Sequence, residues 1–273
     1  MKNLIEQITI FPGQNKFGQA ETFEPIVINK GQVVAIVGPT GAGKSQLLYD
    51  IEKLTQGDSA SKRKILVNNK TPEREWRFDP RFKLIASLAQ SMNFLTDITV
   101  KDFLELHLKA RGKDLDNNLI EQVLICANNI TGEPIKFDFN LLNLSGGQTR
   151  ALMVADIAFI SNSPIILIDE IENAGIKKEQ AINILIKEGK IVLLVTHDPV
   201  LALNANKRLV IKEGGIVSVL ETSQKEKGIS HYLNWVENFN LKIREDIRNG
   251  KRVDEVKIFC QVFDKNKNNN IGE

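Results

Sequence analysis

The sequence GPTGAGKS at residues 38–45 decides the fold. The run QVVAIV (32–37) before it predicts a buried parallel strand, and QLLYDI (46–51) after it predicts the start of a helix. A strand, a glycine-rich turn ending in Lys-Ser and a helix together form the phosphate-binding loop G-x-x-x-x-G-K-[ST] in its required context. The sequence therefore predicts an α/β protein with a parallel sheet that binds a nucleoside triphosphate at this turn.

Each residue type in the loop has a chemical reason. Glycines let backbone N–H groups curl around a polyphosphate without an obstructing Cβ, and the following helix N-terminus adds partial positive charge. The Lys44 ammonium would bind the β- and γ-phosphates, and the Ser45 hydroxyl would ligate Mg²⁺. The nucleotide contacts predicted in this loop are Gly38, Pro39, Thr40, Gly41, Ala42, Gly43, Lys44, Ser45 and Gln46.

The composition limits the classes of function. Lys and Arg number 36 against 34 Asp and Glu, a formal charge of +2, so no binding of nucleic acid is expected on global electrostatics. The two cysteines, Cys126 and Cys260, have no CxxC spacing, which excludes a cysteine zinc site and suits a reducing cytosol. The N-terminus lacks the apolar core of a signal peptide, and no apolar run approaches the roughly 18 residues of a membrane span. We expect a cytoplasmic protein that would serve a membrane process only peripherally, from the cytoplasmic face.

The region before the loop predicts short strands, at 7–11 and 25–28, with turns between them. Phe11 and Phe17 lie here, upstream of the loop, where an aromatic ring could stack on a nucleotide base. Because aromatic residues near short strands usually face the core, we favour core positions for both.

A change of pattern follows the second sheet region, which includes 80–90. From residue 98 apolar residues recur at helical spacing, Thr99 is a plausible cap, and a second helix is predicted over 119–126. A helical insertion over 91–143 between two parallel-sheet regions predicts a separate helical subdomain.

The segment LSGGQ (144–148) begins a predicted helix over 151–160. Ser145 with two glycines at a helix start offers N–H donors, a hydroxyl and no side chain that blocks approach. The segment is therefore a second candidate anion site.

Two buried strands end in polar side chains. The run IILIDE (165–170) ends in Asp169 and Glu170, and IVLLV (191–195) is followed by Thr196-His197. Ligands of a doubly wound sheet lie at the carboxyl ends of the strands, so these side chains would reach the phosphate-binding loop. Asp169 would hold Mg²⁺ through water, Glu170 would polarise the attacking water, and His197 would face the γ-phosphate.

In this order, GPTGAGKS, Gln90, LSGGQ, IILIDE and Thr196-His197 resemble the motifs of ATP-binding cassette (ABC) ATPases. The resemblance covers residues 1–220. It implies a P-loop NTPase parallel-sheet core with an N-terminal antiparallel β-subdomain and the helical subdomain inserted at 91–143. It also implies a head-to-tail homodimer or paired cassette that closes on two ATP molecules with Mg²⁺. The signature contacts to ATP across the dimer would come from Ser145, Gly146, Gly147 and Gln148.

The resemblance also implies roles in hydrolysis. Lys44, Glu170 and His197 would be catalytic. Gln90 would be catalytic and would contact the metal. It would begin a flexible loop that senses the γ-phosphate and contacts the partner protein to which the mechanical work is transmitted.

Some residues depart from the family pattern. The loop IENAGI (171–176) lacks the aspartate expected there, the interval from Glu170 to His197 is several residues short, and Gln46 stands where Thr is common. The catalytic residues are intact, so we predict hydrolysis, whereas the altered loop puts communication across the dimer in doubt.

The C-terminal part, 221–273, is predicted as a helical extension with a polar tail. Residues 222–228 have the composition of a linker, and apolar residues then keep helical spacing over 229–247. Its mixed charges favour a packed helix over a membrane-surface helix. The tail 263–273 resembles the first part of an EF-hand loop, but it lacks the turn glycine and the twelfth-position Glu, so a solvated tail is preferred.

Three functions agree with these observations. We favour the ATPase subunit of a transporter whose membrane-spanning subunits are separate chains. The alternative is a soluble cassette ATPase that remodels or activates a protein complex. A cassette that binds ATP without hydrolysis is disfavoured by Glu170 and His197.

Overall fold

The computed structural model describes residues 5–79, 82–89, 92–170 and 176–253. Its strands are β1 (Gln7–Phe11), β2 (Ile26–Asn29), β3 (Val33–Val37), β4 (Lys64–Val67), β5 (Ile85–Leu88), β6 (Ile165–Asp169), β7 (Ile191–Val195), β8 (Lys207–Lys212) and β9 (Gly215–Glu221). Its α-helices are α1 (Lys44–Glu52), α2 (Arg74–Phe78), α3 (Val100–Ala110), α4 (Asn117–Ile130), α5 (Gly146–Phe159), α6 (Lys178–Lys187), α7 (Pro199–Asn204) and α8 (Gln224–Arg248). Predictions for Gln90, for most of the loop 171–176 and for the tail lie outside the described residues.

The strands form two sheets. The larger has the order β5-β6-β7-β3-β8-β9 and is parallel from β5 to β8, with β9 antiparallel at the edge. The smaller is antiparallel, in the order β2-β1-β4. The predicted α/β class, with a parallel core and an N-terminal antiparallel sheet, is confirmed. The strand that leads into the phosphate-binding loop lies inside the sheet, between β7 and β8.

Alternation along β3 divides the core into two layers. Val33 and Ala35 pack with the helices α3 to α6 on one face, whereas Val34 and Ile36 pack with α1 and the antiparallel sheet on the other. Successive side chains of a strand point to opposite faces, so a strand covered on both sides is apolar throughout. This explains the continuous apolar run at 33–37.

The region 91–143 contains α3 and α4, as the helical pattern predicts. The Thr99 hydroxyl accepts a hydrogen bond from the Asp102 N–H at 3.1 Å, which confirms the predicted cap. Val100, Leu104 and Leu108 are buried at a spacing of four residues, and α4 packs on α5. The boundaries of a separate helical subdomain stay a prediction.

The predicted linker at 222–228 is wrong, because α8 already begins at Gln224. The Ser223 hydroxyl accepts from the Glu226 N–H at 3.2 Å, and the Glu226 carboxylate accepts from the Ser223 N–H at 2.8 Å. This is a capping box, so the polar composition marks a helix start and no flexible segment. The predicted helix at 229–247 lies within α8, which packs on α7 and buries Ser230. The hairpin β8–β9 was not predicted.

No helix in the described part of the chain combines the length and apolar character needed to cross a membrane.

A buried ionic cluster connects α1 to the loop that precedes β2. The guanidinium of Arg63, which is fully buried, donates to both carboxylate oxygens of Glu21 at 2.6 and 2.9 Å and to Asp50 at 2.9 Å. It also donates to the Gly214 carbonyl at 2.7 Å. Asp50 belongs to α1, so the cluster fixes the helix that follows the phosphate-binding loop against the β8–β9 turn.

The variant Arg63→Met would leave two buried carboxylates without their cation. We expect a loss of about 3–5 kcal/mol in the free energy of unfolding, measured by urea denaturation. The control is Lys30→Met, which removes the exposed pair with Glu6 and is expected to cost at most about 1 kcal/mol. Equal losses in the two variants would contradict this role for Arg63.

Candidate nucleotide-binding site

The phosphate-binding loop is shaped by glycines with left-handed backbones. Gly38, Gly41 and Gly43 have φ of 156°, 76° and 97°, and Gly43 is the N-cap of α1. A Cβ at Gly38 would lie 2.4 Å from the Ile211 carbonyl oxygen, and one at Gly43 would lie 2.6 Å from Gly214 Cα. Two of the glycines thus permit the close approach of the β8–β9 hairpin, a reason that the motif alone does not disclose.

The Lys44 ammonium lies at the mouth of the loop. Its Nζ donates to the carbonyl oxygens of Gly38 at 2.8 Å and Pro39 at 3.2 Å, and it lies 3.2 Å from His197 Nε2. The structure therefore brings together two of the predicted catalytic residues from distant parts of the sequence.

The acidic pair lies at the end of β6. Asp169 pairs in register with Val195 of β7, so the ends of β6 and β7 meet at one edge of the sheet, beside the end of β3. Glu170 Oε1 lies 3.8 Å from His197 Nε2. The predicted set Lys44, Glu170 and His197 is thus assembled around one point.

Glu170 has a left-handed backbone, with φ of 51°, although it is not a glycine. Its N–H donates to the Val195 carbonyl at 3.1 Å, which fixes the backbone of Glu170 to the end of β7. Such a conformation costs about 1–3 kcal/mol and is concentrated at functional sites, where the strain directs a side chain. Here it places the carboxylate next to His197.

Two oxygen donors suit a magnesium ion. Ser45 is exposed in the first turn of α1, and Asp169 is partly buried at the end of β6. Hydroxyl and carboxylate oxygens are hard ligands of the kind Mg²⁺ prefers, and Mg²⁺ usually keeps several waters and takes substrate phosphates as ligands. The described residues contain no cluster of three or more His, Cys, Asp or Glu for another metal site. The donor set therefore fits a Mg²⁺ that is shared with a bound phosphate chain.

The signature segment caps α5. The Ser145 hydroxyl accepts from the Gln148 N–H at 3.2 Å, and Gln148 Oε1 accepts from the Ser145 N–H at 2.9 Å. Gln148 is buried and its amide also donates to the Pro134 carbonyl at 3.1 Å. Ser145 and Gly146 are exposed, and Gly147 is half-buried. The helix start is open to a ligand, while the Gln148 amide is engaged within its own subunit.

The remaining predicted nucleotide contacts are Gln46 and the two upstream aromatic residues. Gln46 donates to Asp50 Oδ1 at 2.9 Å along α1. Phe17 is 64% exposed, so its predicted core position is wrong. The reason is that Phe17 lies in an Asx turn, where its N–H donates to Asn15 Oδ1 at 2.9 Å, and not on a strand. Phe11, at the end of β1, is half-buried.

Sequence reasoning missed Asp198. Its Oδ1 accepts from the N–H groups of Val200 at 2.8 Å and Leu201 at 3.4 Å, so it caps α7 directly after His197. An Asp followed by Pro199 at the first helical position is a readable start signal.

Comparison with known proteins identifies the family. The chain matches the family model described as ABC transporter over residues 26–173. It is 52% identical over 258 residues to the uncharacterized ABC transporter ATP-binding protein MJ0121 of Methanocaldococcus jannaschii, with 94% of this chain and 98% of that protein covered. It is 30% identical over 220 residues to the macrolide export ATP-binding/permease protein MacB of Campylobacter jejuni. That match covers 73% of this chain and 33% of MacB, so the chain spans about a third of MacB.

Solved structures share the fold. The ATP-binding cassette MJ0796, in a dimeric post-hydrolysis state bound to ADP and Pi, superposes with a TM-score of 0.59 at 23% identity, covering 79% of this chain and 99% of that one. The cbiO1 protein of Clostridium perfringens, part of the ABC transporter complex cbiONQ, superposes with a TM-score of 0.60 at 20% identity, covering 88% and 97%.

The family model covers more than half of the chain, and the M. jannaschii relative matches nearly all of it. The predictions of the family, of the fold and of a cassette that binds and hydrolyses ATP are confirmed. The chain belongs to the ABC transporter family as one of its ATP-binding cassettes.

Proposed function

We propose that this chain pairs head to tail with a second cassette around two ATP molecules and powers transport by separate membrane-spanning subunits. The observation that carries the proposal is the assembly of Lys44, Glu170 and His197 at the phosphate-binding loop, while the exposed start of α5 remains available to a second nucleotide. In this proposal the chain acts at the cytoplasmic face of the membrane, docked on its partners.

The loop would bind the triphosphate by charge and by backbone donors. Lys44 Nζ now donates to two loop carbonyls, and the β- and γ-phosphate oxygens would be stronger acceptors because they are charged. The N-terminus of α1 adds its partial positive charge at the same place. These terms act on the phosphates and carry no information about the base.

Hydrolysis would require a base and a group that senses the γ-phosphate. Glu170 would accept the proton of the attacking water, and His197, which lies between Glu170 and Lys44, would hold the γ-phosphate in line. A Mg²⁺ held by Ser45 and Asp169 would neutralise charge on the phosphates when bound. Gln90 retains its proposed role at this ion and at the γ-phosphate, although it lies outside the described residues.

The dimer follows from two anion sites on one subunit. The phosphate-binding loop packs against the β8–β9 hairpin, whereas the start of α5 is fixed to Pro134 beside α4. Two cassettes in head-to-tail arrangement would place the loop of one opposite Ser145 and Gly146 of the other. ATP would then hold the subunits together, and its hydrolysis would release them.

The activities named for the relatives favour transport over the remodelling of a soluble complex. MacB is named as both an ATP-binding protein and a permease, and the region it shares with this chain is about a third of its length. We propose that separate chains provide the corresponding membrane-spanning part here.

The variant Glu170→Gln would remove the base and keep the shape of the site. We expect unchanged ATP affinity, a fall in turnover of roughly 100-fold or more, and an ATP-bound dimer that persists. Phosphate release measures the first effect, and light scattering after size-exclusion chromatography measures the dimer. A wild-type rate in the variant would exclude Glu170 as the base.

The variant Ser145→Arg would block the start of α5. We expect normal nucleotide binding by the single subunit and no dimer with ATP, because the bulky side chain fills the place of the second phosphate. Asp116→Arg is the control, since it also replaces an exposed N-cap, that of α4, with arginine. Normal dimerisation of Ser145→Arg by light scattering would contradict the composite site.

A further inference from the structure

Three elements meet at one lysine on the side of α6 that faces α8. Lys178, the first residue of α6, donates from Nζ to Asp198 Oδ2 at 2.6 Å and to Glu237 Oε1 at 2.8 Å. Asp198 caps α7, and Glu237 lies in the middle of α8. The side chains of Lys178 and Asp198 are only 19% and 9% exposed, whereas Glu237 is 40% exposed.

The lysine stays charged in this position. Burial alone would lower the pKa of Lys178, but the hydrogen bonds and charges of Asp198 and Glu237 outweigh burial and raise this pKa above its ordinary value. A permanent cation therefore connects two carboxylates that belong to different helices.

Hydrogen bonds of Asp198 fix the backbone on both sides of His197. Its Oδ1 binds the N–H groups at the start of α7, and its own N–H donates to Thr196 Oγ1 at 2.9 Å. The Thr196 N–H also donates to the Ile36 carbonyl at 3.3 Å, so both neighbours of His197 are fixed to the protein. Because Lys178 occupies the second carboxylate oxygen of Asp198, the turn that carries His197 is held from both sides.

Lys178 also lies close in sequence to the acidic pair Asp169 and Glu170, shortly after residues 171–175. Ile176 is buried and bridges to Thr131, and the Lys177 N–H donates to the Ile130 carbonyl at 2.8 Å. One lysine therefore joins the chain just beyond 171–175 to the turn after β7.

The helix α8 is docked by contacts that do not involve Asp198. Glu179 accepts from Asn204 at 2.6 Å and from Asn234 at 2.8 Å, and the Ser230 hydroxyl donates to Asn204 Oδ1 at 2.7 Å. These bonds bring Glu237 to Lys178, and they provide a comparison that tests docking of α8 by itself.

We propose that Lys178 is a positioning residue for His197, acting through Asp198, and that Glu237 of α8 holds Lys178 in place. The role rests on the proposed function, since it requires His197 to act on the γ-phosphate. Its consequence is that the C-terminal helix, which lies beyond the residues matched by the family model, contributes to hydrolysis.

The first experiment measures kcat and KM for ATP in the full chain. We expect Lys178→Met to lower kcat roughly tenfold and Glu237→Gln to lower it less, with KM changed by less than about twofold, because a small displacement of His197 affects the reaction more than binding. Lys178→Arg should recover most of the kcat, since a guanidinium can donate to both carboxylates.

Two matched controls separate this role from general support. Lys177→Met removes the neighbouring lysine and should keep the wild-type kcat. Glu179→Gln weakens the docking of α8 and should lower kcat no more than Glu237→Gln does. A loss in Glu179→Gln equal to that in Lys178→Met would overturn the proposal, because docking alone would then explain it. A rise in KM in Lys178→Met with kcat unchanged would overturn it as well.

A double-mutant cycle with His197→Ala tests the route of action. In single-turnover assays, Lys178→Met should cause no further loss of rate when His197 is already absent. A further tenfold loss would mean that Lys178 acts independently of His197 and would refute the proposal. If the rate of His197→Ala is too low for a further loss to be measured, two other results test the proposal. They are the recovery of kcat in Lys178→Arg and the effect of Lys178→Met on kcat as against KM.

The same measurements distinguish the role of His197 in hydrolysis from the role of Lys178 in positioning it. A wild-type rate in His197→Ala would refute the proposed role of His197 itself. A dead His197→Ala with an unaffected Lys178→Met would refute only the inference about Lys178.

Discussion

The parallel pairing of β6, β7 and β3 is the constraint on which the site depends. Parallel strands bring their carboxyl ends to one edge, so the loop after β3, the acidic pair after β6 and the histidine after β7 meet there. The 3.2 Å contact between Lys44 and His197 joins residues far apart in the sequence and follows from this register. The apolar side chains of these strands cover both faces of the sheet, and their burial supplies the rigidity that keeps the three ends together.

Polar contacts then fix the positions of helices and turns around the sheet, because apolar packing alone is not directional. The buried guanidinium of Arg63 connects α1 with the β8–β9 turn, and the glycines of the loop permit that turn to approach the backbone. Next to His197 in the sequence, Asp198 at the start of α7 accepts from Lys178 at the start of α6. Lys178 also donates to Glu237 of α8. The left-handed backbone of Glu170 is held by the hydrogen bond from its N–H to the Val195 carbonyl. Hydrolysis would thus be prepared by groups outside the motifs.

Much of the fold and of the site was predictable from the sequence, because the phosphate-binding loop and the buried strands are local patterns. The motifs predict roles for Lys44, Glu170 and His197. These residues lie close together because they follow the carboxyl ends of neighbouring parallel strands. The exposure of Phe17 was not predictable from strand propensity, because an Asx turn removes it from the strand. The composition of 222–228 predicts a linker, although the Ser223–Glu226 spacing of a capping box is visible in the sequence. The contact of Lys178 with Glu237 joins α6 to α8, and such a long-range pair has no local signal.

In the proposed function, ATP hydrolysis by this chain drives a membrane-spanning partner. The most direct measurement is affinity purification of the tagged full chain from detergent-solubilised cells, followed by an ATPase assay of the eluate with Glu170→Gln as the inactive control. The account predicts a co-purified polytopic membrane protein whose presence changes the ATPase rate. A stoichiometric soluble partner, with no membrane protein in the eluate, would contradict it.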